Sequence, residues 1–474
     1  MREGRVFVAA AFVPILLSLS QGCSRKPARD DASAPTPAPP APSEASDELL
    51  ARIEREDASA GAGGDRAGSG PAAEPPVGTA TPSGLVGETE GGRLRVVNGM
   101  RVLELWGSPE QMGRAHGTLL KDDIRRVIAD VIDGSGRTER IMRGTRVMER
   151  HQNDRHRREM RALAEAAGVD YMKVVALQLF GDAERASLPN LDETGLNDTR
   201  DWMADLPAGE FDRLIPRAGR SLPGAYACTS FAMFGPATAT GELIAGRNFD
   251  FWYQTVAAYA SVIIHYRHER PLHSFVTLTW AGVVNGWTLM NDAGVCTANN
   301  LAMGIDNSLE AVSTCFLLRL VAEEAGSVAE GVEVARRNAR SCGTAMLVAG
   351  GTPPDAVELE FDHTDFHVRR AHEGWVIADN SSRAIGREAP LGPEENAHGR
   401  YGTLMGLIKR HHGRIDRSMN FAAARGVPLE GINLHSAMLF PRDLTFSVSM
   451  GSVPACRAPF RRFRMTAKGV ESAE

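Results

Sequence analysis

Basic stripes, paired cysteines and long apolar runs are all scarce in this sequence of 474 residues. The formal net charge is −6 and no segment carries a dominant basic stripe, so nucleic acid is not a predicted partner. The six cysteines show no C-x-x-C spacing, which argues against a zinc site and a dithiol redox site. Beyond the N-terminal residues, no run is long and apolar enough to cross a bilayer. The sequence therefore predicts no cofactor and no metal.

The N-terminus has the features of a secretory leader. Arg2 and Arg5 precede the apolar run "VFVAAAFVPILLSLS", which is too short to span a bilayer but suits a signal peptide. The run leads to Gly22-Cys23, which resembles the lipobox of bacterial lipoproteins. This resemblance implies a signal peptide over residues 1–22, lipidation of Cys23 and a lipid anchor in the bacterial cell envelope, with Ser24 favouring the outer membrane. The alternative is a plain secretory signal with an incidental cysteine.

Residues 23–92 have the composition of a disordered tether. They are rich in Pro, Ala, Ser, Gly and acidic residues, as in "APTPAPPAPSEAS" and "GAGGDRAGSGPAAEPP". Such a segment cannot bury enough apolar surface to offset the entropy lost on ordering it. We expect it to hold a folded domain clear of a membrane and to carry no chemistry.

Residues 93–227 are predicted to form a mainly helical N-terminal segment. One or two strands in "RLRVVNGMRVLEL" are followed by a long amphipathic helix, with Ser108 as its N-cap and Pro109 in its first turn. Two more helices are predicted on either side of "GVD" at 168–170, where Asp170 can cap the second. The polar, proline-rich stretch 186–223 is expected to be a surface excursion.

Strands dominate after Cys228. A series of strand-like runs from "SFAMFG" to "GWVIAD" is interrupted by the helical patterns "VSTCFLLRLVAEEA" and "SVAEGVEVARRNA". The helical pattern "RYGTLMGLIKRHH" follows, and "HSAMLFPRDLTFSVSMGSVPA" gives two more strands. Runs of strands separated by helices indicate helices packed on sheets, an α+β fold class.

Cys228 stands at the start of a predicted hairpin, "CTSFAMFGPATATGELIAGRNFDF". A thiol is a strong nucleophile only when a base or a local field generates the thiolate. If the chain is cut between Ala227 and Cys228, the new α-amine, with an ordinary pKa of about 8, can take the thiol proton. Because the α-amine serves as the base, this arrangement needs no histidine, and none lies in the hairpin. On residue type alone, the alternative is a buried structural cysteine.

The hairpin resembles N-terminal-nucleophile hydrolases of the penicillin acyltransferase type, whose relatives include the choloylglycine and penicillin V amidohydrolases. The resemblance rests on Cys-Thr-Ser after a small residue, on the ending "GRNFD" at 246–250, and on "LMNDAGVCTANNLA" and "GWVIADNSS" further on. It extends over residues 98–460. It implies a four-layer αββα sandwich, the N-terminal-nucleophile hydrolase fold, with a helical pro-segment followed by a catalytic domain at 228–474.

The same resemblance implies roles for residues of the hairpin. Cys228 is the expected nucleophile, and its own α-amine is the general acid and base. On the second strand, the positive charge of Arg247 would favour the thiolate, and Asp250 could hold the α-amino group in place. The alternative for Arg247 and Asp250 is a cross-strand ion pair at the surface.

Two asparagines complete the expected site. Asn300 matches the family's oxyanion-stabilising residue, and Asn299 stays open as its alternative, because adjacent strand residues face opposite sides. Asn380 matches a second active-site asparagine, with a turn-forming role as its alternative. The family often has an Arg or a Thr/Ser-rich segment on a late strand, where this chain has His435 and Ser436. That departure leaves the leaving-group and acceptor side undefined.

The predicted function is an autoprocessed, Cys-dependent amidohydrolase or acyltransferase. It would cleave a linear amide of a small molecule through a thioester on Cys228, with water as the default acceptor outside the cytoplasm. The cleaved N-terminal fragment is expected to stay bound. One alternative is a catalytically inactive lipoprotein that uses the fold as a surface binding module. Another, a papain-type protease, lacks a recognisable signature around the cysteine.

Overall fold

The computed structural model of the protein describes residues 84–186, 227–302, 304–387, 390–395, 397 and 399–473. Contacts divide the chain into residues 1–64 and 65–474, and every described residue belongs to the second unit. The predicted leader, the lipidation site Cys23, most of the predicted tether and nearly all of the predicted excursion lie outside the described ranges.

A ten-stranded sheet forms one half of the β-structure. Its neighbouring strands are antiparallel except β3 and β6, which run parallel. In spatial order the strands are β1 (Gly84–Thr89), β2 (Gly92–Val97), β3 (Met100–Trp106), β6 (Ser261–Arg267), β7 (Phe275–Trp280), β8 (Thr288–Asn291), β9 (Val295–Leu301), β10 (Thr344–Gly351), β11 (Pro354–Phe361) and β12 (Phe366–Arg370).

A seven-stranded sheet forms the other half, and all its neighbouring strands are antiparallel. In spatial order the strands are β13 (Trp375–Ala378), β4 (Ala227–Met233), β5 (Ile244–Asp250), β14 (Asn433–Phe440), β15 (Thr445–Met450), β16 (Arg461–Thr466) and β17 (Gly469–Ser472). Strand β4, which carries the candidate nucleophile Cys228, lies next to the edge strand β13.

The α-helices of the described ranges all lie between strands in chain order. They are α1 (Pro109–Leu119), α2 (Lys121–Val131), α3 (Thr138–Met148), α4 (Asp154–Ala167), α5 (Tyr171–Arg185), α6 (Gln254–Ala260), α7 (Thr314–Glu324), α8 (Val328–Arg337) and α9 (Gly399–His411). In this part of the chain, none of them combines the length and the apolar character that a membrane span requires.

Three apolar clusters hold these elements together. The first packs α1–α8 against one face of the ten-stranded sheet, and it extends to Cys228, Phe249 and Leu434 of the seven-stranded sheet. The second lies between the two sheets and contains only strand and strand-flanking residues. The third packs α9 against the outer face of the seven-stranded sheet. Because a sheet can bury each of its faces against a different layer, both sheets are covered on two sides. The predicted α+β class is confirmed.

The N-terminal boundary of the folded part needs a correction. Strand β1 lies inside the stretch predicted as tether, and it pairs with β2 from Gly84 to Thr89. The main-chain hydrogen bonds of this pairing order the segment, and composition alone does not reveal them. The predicted helical N-terminal segment is also more than helices, because β1–β3 join the ten-stranded sheet through the parallel pair β3–β6.

The predicted helix starts are correct, but the long first helix is two helices. Ser108 caps α1 in a capping box with Gln111, and Asp170 caps α5 after Gly168 ends α4. The helix breaks at Leu120, whose backbone leaves the helical region with φ −122° and whose side chain is buried. Helices α3 and α6 and strands β8, β12, β16 and β17 were not predicted. All but α3 are short runs of four to seven residues, too short for a clear periodicity. Helix α3 was missed although its buried residues Ile141, Thr145 and Met148 recur at helical spacing.

The predicted hairpin is present as β4 and β5. Gly246 is directly opposite Phe231, and the ring of Phe231 covers the Gly246 Cα so closely that an added Cβ would lie 2.0 Å from it. A glycine is therefore required at the first position of "GRNFD" for packing. The motif fixes the distance between the nucleophile strand and its partner.

We expect Gly246→Ala to destabilise the protein by about 1–3 kcal/mol, because the new methyl group must displace a buried aromatic ring. Urea unfolding would measure the change. The control is Gly84→Ala on β1, where an added Cβ meets nothing within 4 Å. That change should stay within about 0.5 kcal/mol of the wild type. Equal effects of the two substitutions would contradict the packing argument.

Candidate active site

Cys228 lies near the start of β4, with 4% of its surface exposed. It is directly opposite Phe249 on β5, and Ser230 is opposite Arg247. Because side chains alternate along a strand, these four residues share one face of the sheet. It is the face turned toward the ten-stranded sheet, since Ala232, further along β4, belongs to the inter-sheet cluster. Strand pairing thus brings the predicted nucleophile and Arg247 to the same side.

Arg247 is a buried cation, only 1% exposed, on this inter-sheet face. Its Nη1 donates to Oδ1 of Asn300 on β9 at 2.6 Å. Within the described part of the chain, its Nε and Nη2 have no hydrogen-bond partner. A buried guanidinium with unused donors is costly unless an anion or a polar group occupies the space beside it. The arrangement therefore suits a negative charge at or near Cys228.

Asn300 connects the two sheets. Its Nδ2 donates to Ser230 Oγ at 2.7 Å and to Ala345 O at 3.0 Å, while its Oδ1 accepts from Arg247. Both amide hydrogens of Asn300 are therefore engaged in the uncleaved chain. Asn299 faces the opposite side of β9, where its Nδ2 lies 4.0 Å from Cys315 Sγ. Of the two asparagines left open by the sequence, Asn300 is the one hydrogen-bonded to Arg247.

Asn380 and Arg400 hold the main chain of Cys228 on both sides of its Cα. The backbone N–H of Cys228 donates to Asn380 Oδ1 at 2.6 Å, and Arg400 Nη1 donates to Cys228 O at 2.7 Å. Arg400 also donates to Asn380 Oδ1 at 3.0 Å and to Thr229 Oγ1 at 2.7 Å. Asn380 Nδ2 donates to Leu301 O at 2.6 Å. We call Asn380 and Arg400 the backbone clamp.

Sequence reasoning missed Arg400. The expected arginine was sought on the late strand, which is β14, whereas Arg400 projects from the first turn of α9 and is 4% exposed. No local motif marks it among the 53 Lys and Arg residues of the chain. Ser230 was also missed as a partner of Asn300. Only the packing of α9 on the seven-stranded sheet reveals that a cation reaches Cys228 from that side.

Asp250 differs from its predicted role. In the β4–β5 register it is opposite Ala227, so it lies on the other face of the sheet from Cys228. Its carboxylate accepts from Leu429 N at 2.9 Å and from Asn433 Nδ2 at 2.7 Å. The position beside the Cys228 nitrogen, predicted for Asp250, belongs to Asn380 in the uncleaved chain. The strand register is the reason, because it places alternate residues on opposite faces.

His435 and Ser436 lie on opposite faces of β14. His435 stacks on Phe249 with ring centroids 5.1 Å apart, and Phe249 stacks on Trp287 at 4.6 Å on the same aromatic wall. Burial, and then the charge of Arg247, hold the pKa of His435 well below its ordinary value, so the imidazole is neutral. Ser436 Oγ donates to Asn248 Oδ1 at 2.6 Å. His435 therefore contributes to the wall beside Cys228, and Ser436 to the outer face.

Within the described ranges, none of the cysteines is paired in a disulfide. Cys228, Cys296, Cys315, Cys342 and Cys456 are all free thiols. Burial raises the pKa of Cys315 well above its ordinary value, so its thiol stays protonated. Within the ranges that the structure describes, no three His, Cys, Asp or Glu side chains are grouped so as to hold a metal ion.

Comparison with known proteins gives one match to a family model. Residues 237–388 match the family model described as acyl-coenzyme A:6-aminopenicillanic acid acyl-transferase. The predicted resemblance to this enzyme family is confirmed over these residues. The matched residues include Arg247, Asp250, Asn300 and Asn380, and they begin after Cys228.

Similar proteins include one curated relative and several solved structures. An uncharacterized protein of Archaeoglobus fulgidus is 22% identical over 363 residues, which cover 67% of this chain and 56% of that protein. The chain thus matches little more than half the length of this relative.

The solved structures are an N-acylethanolamine-hydrolyzing acid amidase ortholog of Caenorhabditis elegans (15% identity, TM-score 0.36, 52% of this chain and 100% of that one), a mutant conjugated bile acid hydrolase of Clostridium perfringens (12%, 0.37, 52% and 96%) and a penicillin V acylase of Agrobacterium tumefaciens (12%, 0.35, 50% and 86%). We infer neither fold nor substrate from similarity at this level.

The buried carboxyl group of Asp250 predicts a pH dependence of stability. Burial, partly offset by the charge of Arg400, raises the pKa of Asp250 from 3.8 to about 6. The folded chain therefore keeps this proton at pH values where the unfolded chain has lost it. Stability from Asp250 is complete below about pH 4 and is lost as the pH rises to about 6. The loss amounts to up to about 3 kcal/mol.

The measurement compares the unfolding free energies of the parent chain and of Asp250→Asn, both carrying Cys228→Ala so that the backbone stays intact. On going from about pH 4 to about pH 7, the parent should lose stability relative to the Asn variant. Taking the difference cancels the histidines, whose titration is common to both chains. A difference that is independent of pH, or that grows in favour of the parent, would show that folding does not raise the pKa of Asp250.

Proposed function

We propose that this protein is a Cys-dependent amidohydrolase or acyltransferase that cleaves its own chain between Ala227 and Cys228. Its substrate would be a linear amide, and its intermediate a thioester on Cys228 Sγ. The match to the acyl-transferase family model supports an acyl-transfer enzyme. That Cys228 is the nucleophile, that the chain is cleaved before it and that the substrate is a linear amide are our inferences. The observation that carries the proposal is the buried Arg247, whose free donors lie on the same sheet face as the thiol.

The backbone clamp supports the use of the α-amine as the base. After cleavage, the nitrogen that now donates to Asn380 Oδ1 becomes an amine that can keep this acceptor. The guanidinium of Arg400, bonded to the same Oδ1 and to Cys228 O, disfavours a proton on the amine. A neutral α-amine on the same residue as the thiol can take the thiol proton, which is the task of a general base.

The reaction then balances without a cofactor. Sγ attacks the amide carbon, the carbonyl electrons move to the oxygen, and the α-amine holds the thiol proton. When the C–N bond breaks, that proton goes to the leaving amine and the acyl group stays on sulfur. Water or an acceptor amine then attacks the thioester, and its proton returns through the α-amine to Sγ. Buried donors aimed at the developing oxyanion accelerate such steps strongly.

The unused nitrogens of Arg247 are suited to stabilise that negative charge. Asn300 would serve as an oxyanion donor only by exchanging its bond to Ser230 for one to the substrate. In the uncleaved chain its visible task is to hold Nη1 of Arg247. We therefore propose Arg247 as the principal electrostatic group and Asn300 as its support.

We also propose that the packing is that of the four-layer αββα sandwich, with the N-terminal segment as a retained pro-segment. The three apolar clusters place helices outside both sheets, in agreement with this architecture. Retention is favoured because β3 is paired to β6, on the other side of the cleavage point. Breaking one peptide bond leaves these hydrogen bonds and the first apolar cluster unchanged.

The test is the intact mass and N-terminal sequence of protein made without residues 1–23. We expect two associated fragments, the second beginning Cys-Thr-Ser-Phe. Cys228→Ala should give one uncleaved chain with no amide turnover, while Cys228→Ser should be cleaved slowly, because an alcohol is a weaker nucleophile than a thiolate. A wild-type chain that stays whole for days would contradict autoprocessing and favour the inactive binding lipoprotein. Turnover that survives Cys228→Ala would exclude Cys228 as the nucleophile.

We propose further that Cys23 carries a lipid and anchors the protein in the bacterial cell envelope, most simply at the outer membrane. The support is the sequence alone, an apolar leader followed by Gly22-Cys23. Full-length protein should partition into the membrane fraction, and Cys23→Ser should shift it to the soluble fraction. Cys296→Ser, a buried cysteine of β9, is the control and should not change the partition. Equal partition of both variants would contradict lipidation at Cys23.

A further inference from the structure

A buried ionic cluster lies directly behind the backbone clamp. It consists of Glu360, Asp379, Arg383 and Tyr401, each at most 2% exposed. These residues come from β11, from the segment after β13 and from α9, so the cluster joins three elements. Removing charged groups from water costs free energy, and pairing them offsets only part of that cost. We therefore ask what role the pairing has besides stability.

Arg383 contacts the sequence neighbours of both clamp residues. Its Nη1 donates to Asp379 Oδ1 at 2.8 Å, and Asp379 immediately precedes Asn380. Its Cζ lies 3.7 Å from the centroid of the Tyr401 ring, and Tyr401 immediately follows Arg400. One guanidinium thus spans the two segments that carry the clamp.

Glu360 fixes the position of Arg383 through the main chain. The backbone N–H groups of Arg383 and Ala384 donate to Glu360 Oε2 at 2.8 and 2.7 Å. Asp379 Oδ1 also accepts from Ser381 N at 3.0 Å. Burial raises the pKa of Asp379, but the charge and hydrogen bond of Arg383, the charge of Arg400 and the N–H of Ser381 together hold this pKa below its ordinary value, so the ion pair persists. The segment that leaves Asn380 is therefore tied to β11.

We propose that Arg383 is a positioning residue that sets Asn380 and Arg400 relative to each other, and so fixes the main chain of Cys228. Its effect on cleavage and turnover rests on the function proposed above, whereas its effect on the backbone does not. Only arginine fits the place, because a planar guanidinium can pair with a carboxylate at its edge while stacking on a ring with its face. A lysine ammonium has no planar face, so it cannot pair with the carboxylate and stack on the ring at the same time.

The test substitutes Arg383→Lys and uses Arg319→Lys as its matched control. Arg319 is also fully buried, donates to Glu323 Oε1 four residues away at 2.8 Å, and lies 4.3 Å over the ring of Tyr266. It belongs to the helix layer on the ten-stranded sheet and bonds no clamp residue. Both variants lose the same kind of buried stacked ion pair, so any general loss of stability is shared.

The first measurement is amide hydrogen exchange at residue 228 in chains that carry Cys228→Ala, in which the main chain stays uncleaved. This N–H donates to Asn380 Oδ1, and loss of positioning should speed its exchange about tenfold in Arg383→Lys. In Arg319→Lys, exchange at residue 228 should match the parent after correction for global stability. Equal exchange in the two variants would overturn the proposal. If Arg383→Lys does not fold by circular dichroism, Glu360→Gln carries the same test, with faster exchange at residue 228 supporting the proposal and unchanged exchange overturning it.

The second measurement is the rate of chain cleavage with Cys228 present. Arg383→Lys should slow it about tenfold or more relative to Arg319→Lys, because cleavage requires Cys228 to be held in place. The two measurements fail separately. A wild-type chain that is never cleaved overturns the proposed function, while the exchange result still decides on positioning. Normal cleavage with unchanged exchange in Arg383→Lys overturns positioning alone.

Discussion

The burial of one guanidinium between two apolar sheets is the constraint on which the candidate site depends. Arg247 cannot be solvated there, so it needs a polar partner from the facing sheet, and its remaining N–H donors need an acceptor or an anion. Asn300 supplies the partner and is itself held by Ser230 and Ala345. This arrangement requires the two sheets to keep their spacing and register. The apolar cluster between the sheets therefore serves the chemistry as well as the stability of the protein.

The second constraint is control of the main chain at Cys228. Under the proposed function, Cys228 would become a chain terminus, and noncovalent bonds would have to replace the covalent tether lost on cleavage. Asn380 and Arg400 provide such bonds from two different elements, and both act on main-chain atoms of Cys228. These bonds hold the backbone of Cys228 and leave its thiol available for the proposed reaction. Arg383, behind the clamp, extends this control to the segments that carry it.

Much of the β-structure and several site residues could be predicted from the sequence. Period-two alternation and the fixed spacing of "GRNFD" gave the β4–β5 hairpin, and the resemblance gave Asn300 and Asn380. Ser108 and Asp170 marked helix starts because capping is a local interaction. Asp250 was assigned to the wrong partner, because a motif specifies residues along the chain but the strand register decides which face each one takes.

What the sequence by itself determined is therefore local: helix caps, alternating strands, the hairpin and the residue types at its two ends. Tertiary structure alone decided that Arg400 of α9 reaches the main chain of Cys228 and that Ser230 bonds Asn300. It also decided that residues 84–89 pair with β2 and so belong to a sheet in which β3 pairs with β6, more than a hundred residues further along the chain. Such contacts depend on how layers pack, and no periodicity or motif within one segment records which distant segment will lie against it.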